Sequence, residues 1–211
     1  YLTYFILFNV LLVGQNYLWP TNASETITAF FGEERPRRYH AGIDIRTYGK
    51  IGFDLYAIED GYIEKIKIDY KGYGNTLYLR LNDGNLAVYA HMNRFSPDID
   101  NIISILKQDY NKQVFEHHFE KQEITVKKGD IVGYTGDTGT ISGPHLHFEI
   151  RDKNNISLNP FVNFYSLEDQ IAPIPKKIAI IPQTNQTMID GYSDIMIYDI
   201  KKNNESLNDI E

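Results

Sequence analysis

The sequence predicts a mainly β protein whose strands pair antiparallel around one core, and three observations carry that expectation. Short runs rich in β-branched and aromatic residues follow one another: GIDIRT, FDLYAIED, GYIEKIKIDY, NTLYLRL and NLAVYAHM. Tight-turn residues separate them, above all Asn82-Asp83-Gly84-Asn85, where Asp-Gly tolerates the left-handed conformations a hairpin demands. Apolar residues fall at helical spacing mainly between Ser96 and Lys121. With 211 residues and 42% hydrophobic content, the chain is long and apolar enough for one medium domain with a real core, plus part of a second.

The chain opens with YLTYFILFNVLLVG, an apolar run without a charge and shorter than the roughly 20 residues that span a bilayer. Residues 1–16 therefore read as the remnant of a secretory signal peptide, with a truncated membrane anchor or a buried first strand as alternatives. The main domain is expected over residues 17–162. It starts with an extended lead-in that turns near Pro20 to Ser24, and the Arg- and Pro-rich stretch Gly32 to Tyr39 is expected to be a loop that delivers His40. The strand runs quoted above follow, with Tyr70 to Gly74 punctuating the pair before the Asp-Gly hairpin. From about 96 to 121, Ile99, Ile102, Ile103 and Leu106 mark one or two inserted helices, and Pro97-Asp98 suits a helix start. EITVKKGDIVGYTG resumes strand and turn, and HLHFEIRD is a strand bounded by Pro144 and Asn154. Residues 163–211 read as a partial accessory β module: IAPIPKKIAIIPQ and YSDIMIYDI look like strands, while KKNNESLNDIE ends in a polar run with no closing strand.

Composition narrows the chemistry. With no cysteine, disulfides, thiolate zinc sites and cysteine nucleophiles are excluded, and any metal must sit on imidazole and carboxylate ligands. A net charge of -7 gives no support to nucleic-acid binding, which needs basic patches to neutralise phosphates.

Four of the six histidines lie in patterned positions. In His40-Ala41-Gly42-Ile43-Asp44, residues 40, 42 and 44 share one face of a strand, and Gly42 would leave room for a metal or a substrate. In the run from Pro144 to Ile150, Leu146, Phe148 and Ile150 face the core while His145, His147 and Glu149 face outward. His91 ends NLAVYAH on the face of Ala87 and Tyr89. A catalytic zinc takes three protein ligands and leaves one position open. Four histidines and an aspartate exceed that need, which leaves one or two imidazoles for proton transfer or oxyanion stabilisation. Each pattern alone is weak, since a lone His-x-His or strand-end histidine is more often structural. Their concentration supports a His/Asp metal hydrolase, without saying which residues are ligands. His117 and His118 fit no such pattern and are expected on the surface. Glu149 is expected to hold a structural hydrogen bond rather than act as a base. The small residues from Gly133 to Gly143 suit a groove wall or simply a surface loop, and Tyr39, Tyr73 and Tyr134 are weak groove candidates among sixteen tyrosines.

HAGID at 40 to 44, YAHM at 89 to 92, KKGDIVGYTGDTGTISGPHLHFEI at 127 to 150 and Asn159-Pro160 together resemble the M23 family of zinc metallopeptidases, of the lysostaphin/LytM type. The resemblance covers about Phe31 to Pro160. It implies that His40, Asp44 and His147 bind one Zn2+ ion, with His91 and His145 as a non-ligating catalytic pair. It also implies an antiparallel β-sheet groove and an endopeptidase that hydrolyses bacterial cell-wall peptidoglycan in the periplasm or cell envelope. Peptidoglycan peptides would be its partners, nucleic acid would not, and the N-terminal apolar segment is a candidate membrane anchor. A catalytically inactive scaffold or activator of cell-wall hydrolases is the alternative. The insertion at 96–121 is longer than in compact members and is expected to shape or partly occlude the groove.

Overall fold

The computed structural model describes residues 17–36, 38–110, 113–166, 176–184, 188, 191–192, 194–202 and 208–210. The signal-peptide and anchor readings of residues 1–16 lie outside the described residues. The chain divides into two compact units, Tyr1–Ser166 and Leu167–Glu211.

The first unit opens with β1 (Ile27–Ala29), β2 (Glu34–Arg35), β3 (Arg38–Tyr39), β4 (Ile43–Arg46) and β5 (Asp54–Tyr56). The long strands follow, β6 (Gly61–Ile68), β7 (Thr76–Leu81) and β8 (Leu86–Ala90), then β9 (Arg94–Phe95) and helix α1 (Pro97–Tyr110). β10 (Phe115–His118), β11 (Thr125–Val126), β12 (Ile131–Tyr134), β13 (His145–Arg151), β14 (Ser157–Leu158) and the short helix α2 (Pro160–Asn163) complete it. The main sheet runs β1-β4-β13-β8-β7-β6-β10, with β11 also on β6 and β14 also on β13; β5-β12-β9 form a second sheet. Its pairings are antiparallel, as expected.

Period-2 alternation decides which face of the sheet is dry. Ile43 and Ile45 of β4 and Leu146, Phe148 and Ile150 of β13 have no exposure, and they join Ile63, Ile66, Leu77, Leu79 and Tyr89 in one cluster. Each such burial is worth about 1.5–3 kcal/mol, so β4 and β13 are held in register by their apolar halves, and their polar halves must face the other way. The turn between β7 and β8 closes where Gly84 takes φ +93° and the Leu81 amide donates to the Asn85 carbonyl at 2.8 Å.

Some of these expectations need correction. The stretch 32–39 is not a plain loop, because Glu34 pairs with Tyr39 and Arg35 with Arg38 in a small hairpin. Of the one or two helices expected in the insertion, the described residues form one, and the segment also contains a strand. α1 buries Ile99 and Ile103, and the chain then returns as β10, Phe115 opposite Ile68, at the edge of the sheet remote from β4. His117 and His118 thus lie on an edge strand, and no described residue of 96–121 lines the groove described below.

The second unit contains β15 (Lys177–Ile180), β16 (Met196–Lys202) and β17 (Asn208–Ile210), an antiparallel sheet in the order β15-β16-β17. The expectation of no closing strand is overturned, since Ile210 pairs with Ile200 and Asn208 with Lys202. Three residues with one apolar side chain carry no readable alternation, and backbone pairing alone makes them a strand.

Candidate metal centre and groove

β13 lies between β4 and β8, and its register builds the site. His147 stands opposite Asp44 on one side and Ala90 on the other, so His91 follows directly beyond Ala90; His145 stands opposite Arg46. His40 precedes β4 and its backbone amide donates to the Glu33 carbonyl at 2.8 Å, so the β2–β3 hairpin fixes its approach.

Three side chains converge. His40 Nε2 is 3.1 Å and His147 Nδ1 is 2.9 Å from Asp44 Oδ1, and the two ring nitrogens are 3.0 Å apart. This is the three-residue group of the described chain that can hold a metal ion, its ligand atoms all lying within 4.8 Å of one another. His145 is outside the cluster, with Nε2 3.6 Å from Asp44 Oδ1.

The outer nitrogens show why a cation fits. His40 Nδ1 is 2.8 Å from the Phe30 carbonyl, which can only accept, so this nitrogen carries the hydrogen. His147 Nε2 is 2.8 Å from Glu149 Oε1, which fixes its hydrogen in the same way. In neutral rings the inner nitrogens then aim lone pairs at each other and at a carboxylate. Only a proton or a metal ion relieves that repulsion, and two imidazoles with one carboxylate are the donor set of a three-ligand zinc site.

Electrostatics reinforce the arrangement. Burial alone would raise the Asp44 carboxyl, but with the two rings protonated the inner nitrogens of His147 and His40 donate to it, which outweighs burial and holds it well below the usual carboxylate range. Glu149 is fully buried, yet the Arg151 guanidinium donates to it at 2.6 Å and the Tyr73 hydroxyl also donates to it. Burial pushes Glu149 upward, while hydrogen bonds from His147 and Arg151 bring it down to about 2. Glu149 therefore orients His147 as an ionised acceptor, in keeping with the structural role expected for it.

His91 is held by different means. Its backbone takes φ +59°, a left-handed conformation costly for a residue with a Cβ, and its amide donates to the Tyr73 carbonyl at 2.8 Å. Nδ1 is 2.9 Å from the Thr138 carbonyl, so Nε2 keeps its lone pair. Thr138 is itself pinned, its hydroxyl donating to the Met92 carbonyl and accepting from the Asn75 amide, both at 2.9 Å. The ring centroids of His91 and His145 are 4.8 Å apart. Burial lowers His91 to about 4. Because the shift is downward, the ring is neutral at pH 7 and charges only as pH falls through about 4. A nitrogen-15 NMR titration of the metal-free protein should place its midpoint well below 6.5, and a midpoint at or above 6.5 would show that burial does not depress this ring.

The cluster sits in an open groove of about 1080 Å³, whose lining includes Thr140 to Pro144 and Arg35, Arg38 and Tyr39. Tyr73 also lines it, but Tyr134 does not; Arg94 lies over the Tyr134 ring at 4.0 Å instead. Gly42 makes no room for a ligand. A Cβ there would lie 2.2 Å from the Phe148 carbonyl oxygen and 2.7 Å from Glu149 Cγ, so the glycine permits close strand pairing. The sequence reading missed Arg46, although the alternation that selects 40, 42 and 44 selects 46 next. It also missed Arg35, whose Nη2 is 3.4 Å from Asp44 Oδ2; no pattern in the sequence points to that contact.

Comparison with known proteins places this architecture. The model of peptidase family M23 matches residues 96–160, which include His145, His147 and Glu149, while His40, Asp44 and His91 precede the match. The DD-carboxypeptidase/endopeptidase Mpg of Neisseria meningitidis serogroup B is 32% identical over 123 residues, 58% of this chain and 22% of that protein. The murein hydrolase activator NlpD of Escherichia coli is 33% identical over 142 residues, 67% of this chain and 29% of that protein. The chain thus spans less than a third of the length of either curated relative. Among solved structures, Helicobacter pylori Csd3 superposes with a TM-score of 0.50 at 25% identity, covering 76% of this chain and 38% of Csd3. By the match over residues 96–160, the antiparallel sheet and the His40–Asp44–His147 cluster, the chain has the fold and the metal-binding triad of the M23 peptidases.

Proposed function

We propose that this protein is a zinc-dependent endopeptidase acting on the peptides of bacterial cell-wall peptidoglycan, outside the cytoplasmic membrane. The observation that carries the reading is the convergence of three lone pairs from His40, Asp44 and His147 beside an open groove. A zinc ion on these residues would supply Lewis-acid polarisation of the scissile carbonyl and a more acidic water. His91 presents a neutral Nε2 to take the proton of that water. His145, whose Nδ1 is 2.9 Å from the Gly143 carbonyl, turns Nε2 towards Asp44, from where a charged ring can donate to the developing oxyanion or the leaving amine. The names of the relatives, an endopeptidase and a murein hydrolase activator, support cell-wall peptides as the substrate.

The activator relative also motivates a second reading, in which the groove binds without cutting. Against it stands the complete set of His40, Asp44, His91, His145 and His147 around one groove. Mass spectrometry of products from purified peptidoglycan distinguishes the two. New peptide termini should appear with zinc, vanish on chelation and return when zinc is added back. His91→Ala and His145→Ala should each slow release roughly 10²–10⁴-fold while the protein keeps its zinc. A zinc-loaded protein that releases no fragments alone, but speeds a separate hydrolase, would establish the activator.

A further inference from the structure

The groove carries a second set of aligned groups that metal chemistry does not use. Arg35, Arg38 and Arg46 line it in a chain of net charge -7, and no lysine does. They come from three strands, β2, β3 and β4. Arg46 is the next residue after Asp44 on the same face of β4, directly across from His145. Two residues along a strand advance roughly 7 Å, so Arg46 stands about two residues of an extended substrate away from the triad.

The three are not equivalent. Arg35 is occupied, with Nη2 3.5 Å from Glu33 and 3.4 Å from Asp44. Among the described residues, neither Arg38 nor Arg46 has a carboxylate within ion-pair distance; the contact described for the Arg46 guanidinium is the Tyr48 ring, 5.7 Å away. A lone exposed arginine is ordinarily just a solvated side chain. Two guanidinium forks lining one groove, without a carboxylate partner among the described residues of an acidic chain, are a different case. Arginine presents paired N–H donors that match a carboxylate in plane, which lysine does not.

We propose that Arg46 and Arg38 form a carboxylate-binding subsite, and that the substrate is an acidic peptide with a free carboxylate about two residues from the bond that is cut. The position of the cut rests on the peptidase reading; the carboxylate preference does not. The subsite would fix the register of an extended peptide against His91 and His145, since a charge-paired anchor one pleat from the reacting carbonyl leaves little freedom to slide.

Two synthetic peptides of one peptidoglycan stem sequence provide the test, one with free carboxylates and one with primary carboxamides in their place. Fluorescence anisotropy measures their binding to the zinc-loaded protein. The free acid should bind roughly 10-fold tighter or more, the range of one or two charge-assisted hydrogen bonds. Arg46→Ala and Arg38→Ala should each lose most of that preference with zinc content unchanged, and Arg46→Lys should recover part of it. Equal or undetectable binding of both peptides, or a preference that survives both alanine variants, overturns the subsite. Hydrolysis measured in the same samples separates the two ideas. Selective binding without cleavage supports the subsite and sinks the peptidase, whereas equal kcat/KM on both peptides sinks the subsite and supports the peptidase.

Discussion

His147→Ala is expected to abolish stoichiometric zinc binding and, with it, all measurable peptide hydrolysis. Both ring nitrogens of His147 are committed, Nδ1 to Asp44 and His40 and Nε2 to the buried Glu149 carboxylate. Its loss leaves two ligands where a catalytic zinc takes three, and removes the link to the buried carboxylate beneath. The fold should survive, because the ring stands on the face of β13 opposite Leu146 and Phe148. Metal analysis after dialysis reads the first effect. Thermal unfolding reads the second, since zinc at 100 times its Kd adds about 2.7 kcal/mol to the wild type and nothing to a variant that cannot bind it. His145→Ala is the matched control, as its ring lies outside the cluster and its loss should leave zinc in place. If His147→Ala held one zinc, or His145→Ala lost it, the ligand assignment would be wrong.

The alternation that made this contrast visible was legible in the sequence to a definite depth. HLHFEI dictates that histidines and core residues part to opposite faces, and the structure places Leu146, Phe148 and Ile150 in the core as that pattern requires. Register was not legible. The pairing of His147 with Asp44 across β4 and β13 depends on a strand separated from its partner by a hundred residues, and alternation fixes which face a residue takes, not which residue it meets. His91 illustrates another limit. Its left-handed backbone and its bond to Thr138 arise from loop packing, and a strand-end histidine in a sequence gives no sign of either. Within Ser96–Lys121 only helix is legible, because Ile99 to Leu106 dominates the pattern, whereas β10 is an edge strand with few apolar residues and is set by hydrogen bonding to β6.

Glu149→Gln tests whether the buried layer beneath the triad matters as much as the triad itself. The substitution keeps the shape and leaves an oxygen that can accept from His147 Nε2 and from the Tyr73 hydroxyl. It also turns an amide NH2 towards the Arg151 guanidinium, where donor meets donor. Arg151 then loses the carboxylate that balances its charge in a partly buried position, and breaking such a pair by removing one partner costs about 3–5 kcal/mol. Unfolding by urea with zinc chelated should show that loss. The pH dependence has a definite sign. Burial raises Glu149 but its hydrogen bonds depress it from 4.5 to about 2, so its contribution is present above 4.5 and lost as pH falls through about 2. The variant should lack that part of the acid sensitivity. Zinc affinity should fall about 10–100-fold, because His147 loses the charged acceptor that fixes its orientation and raises its basicity. A variant with weakened folding but zinc affinity within twofold of wild type would make Glu149 a partner of Arg151 alone, and the carboxylate would then have no part in preparing His147 for the metal.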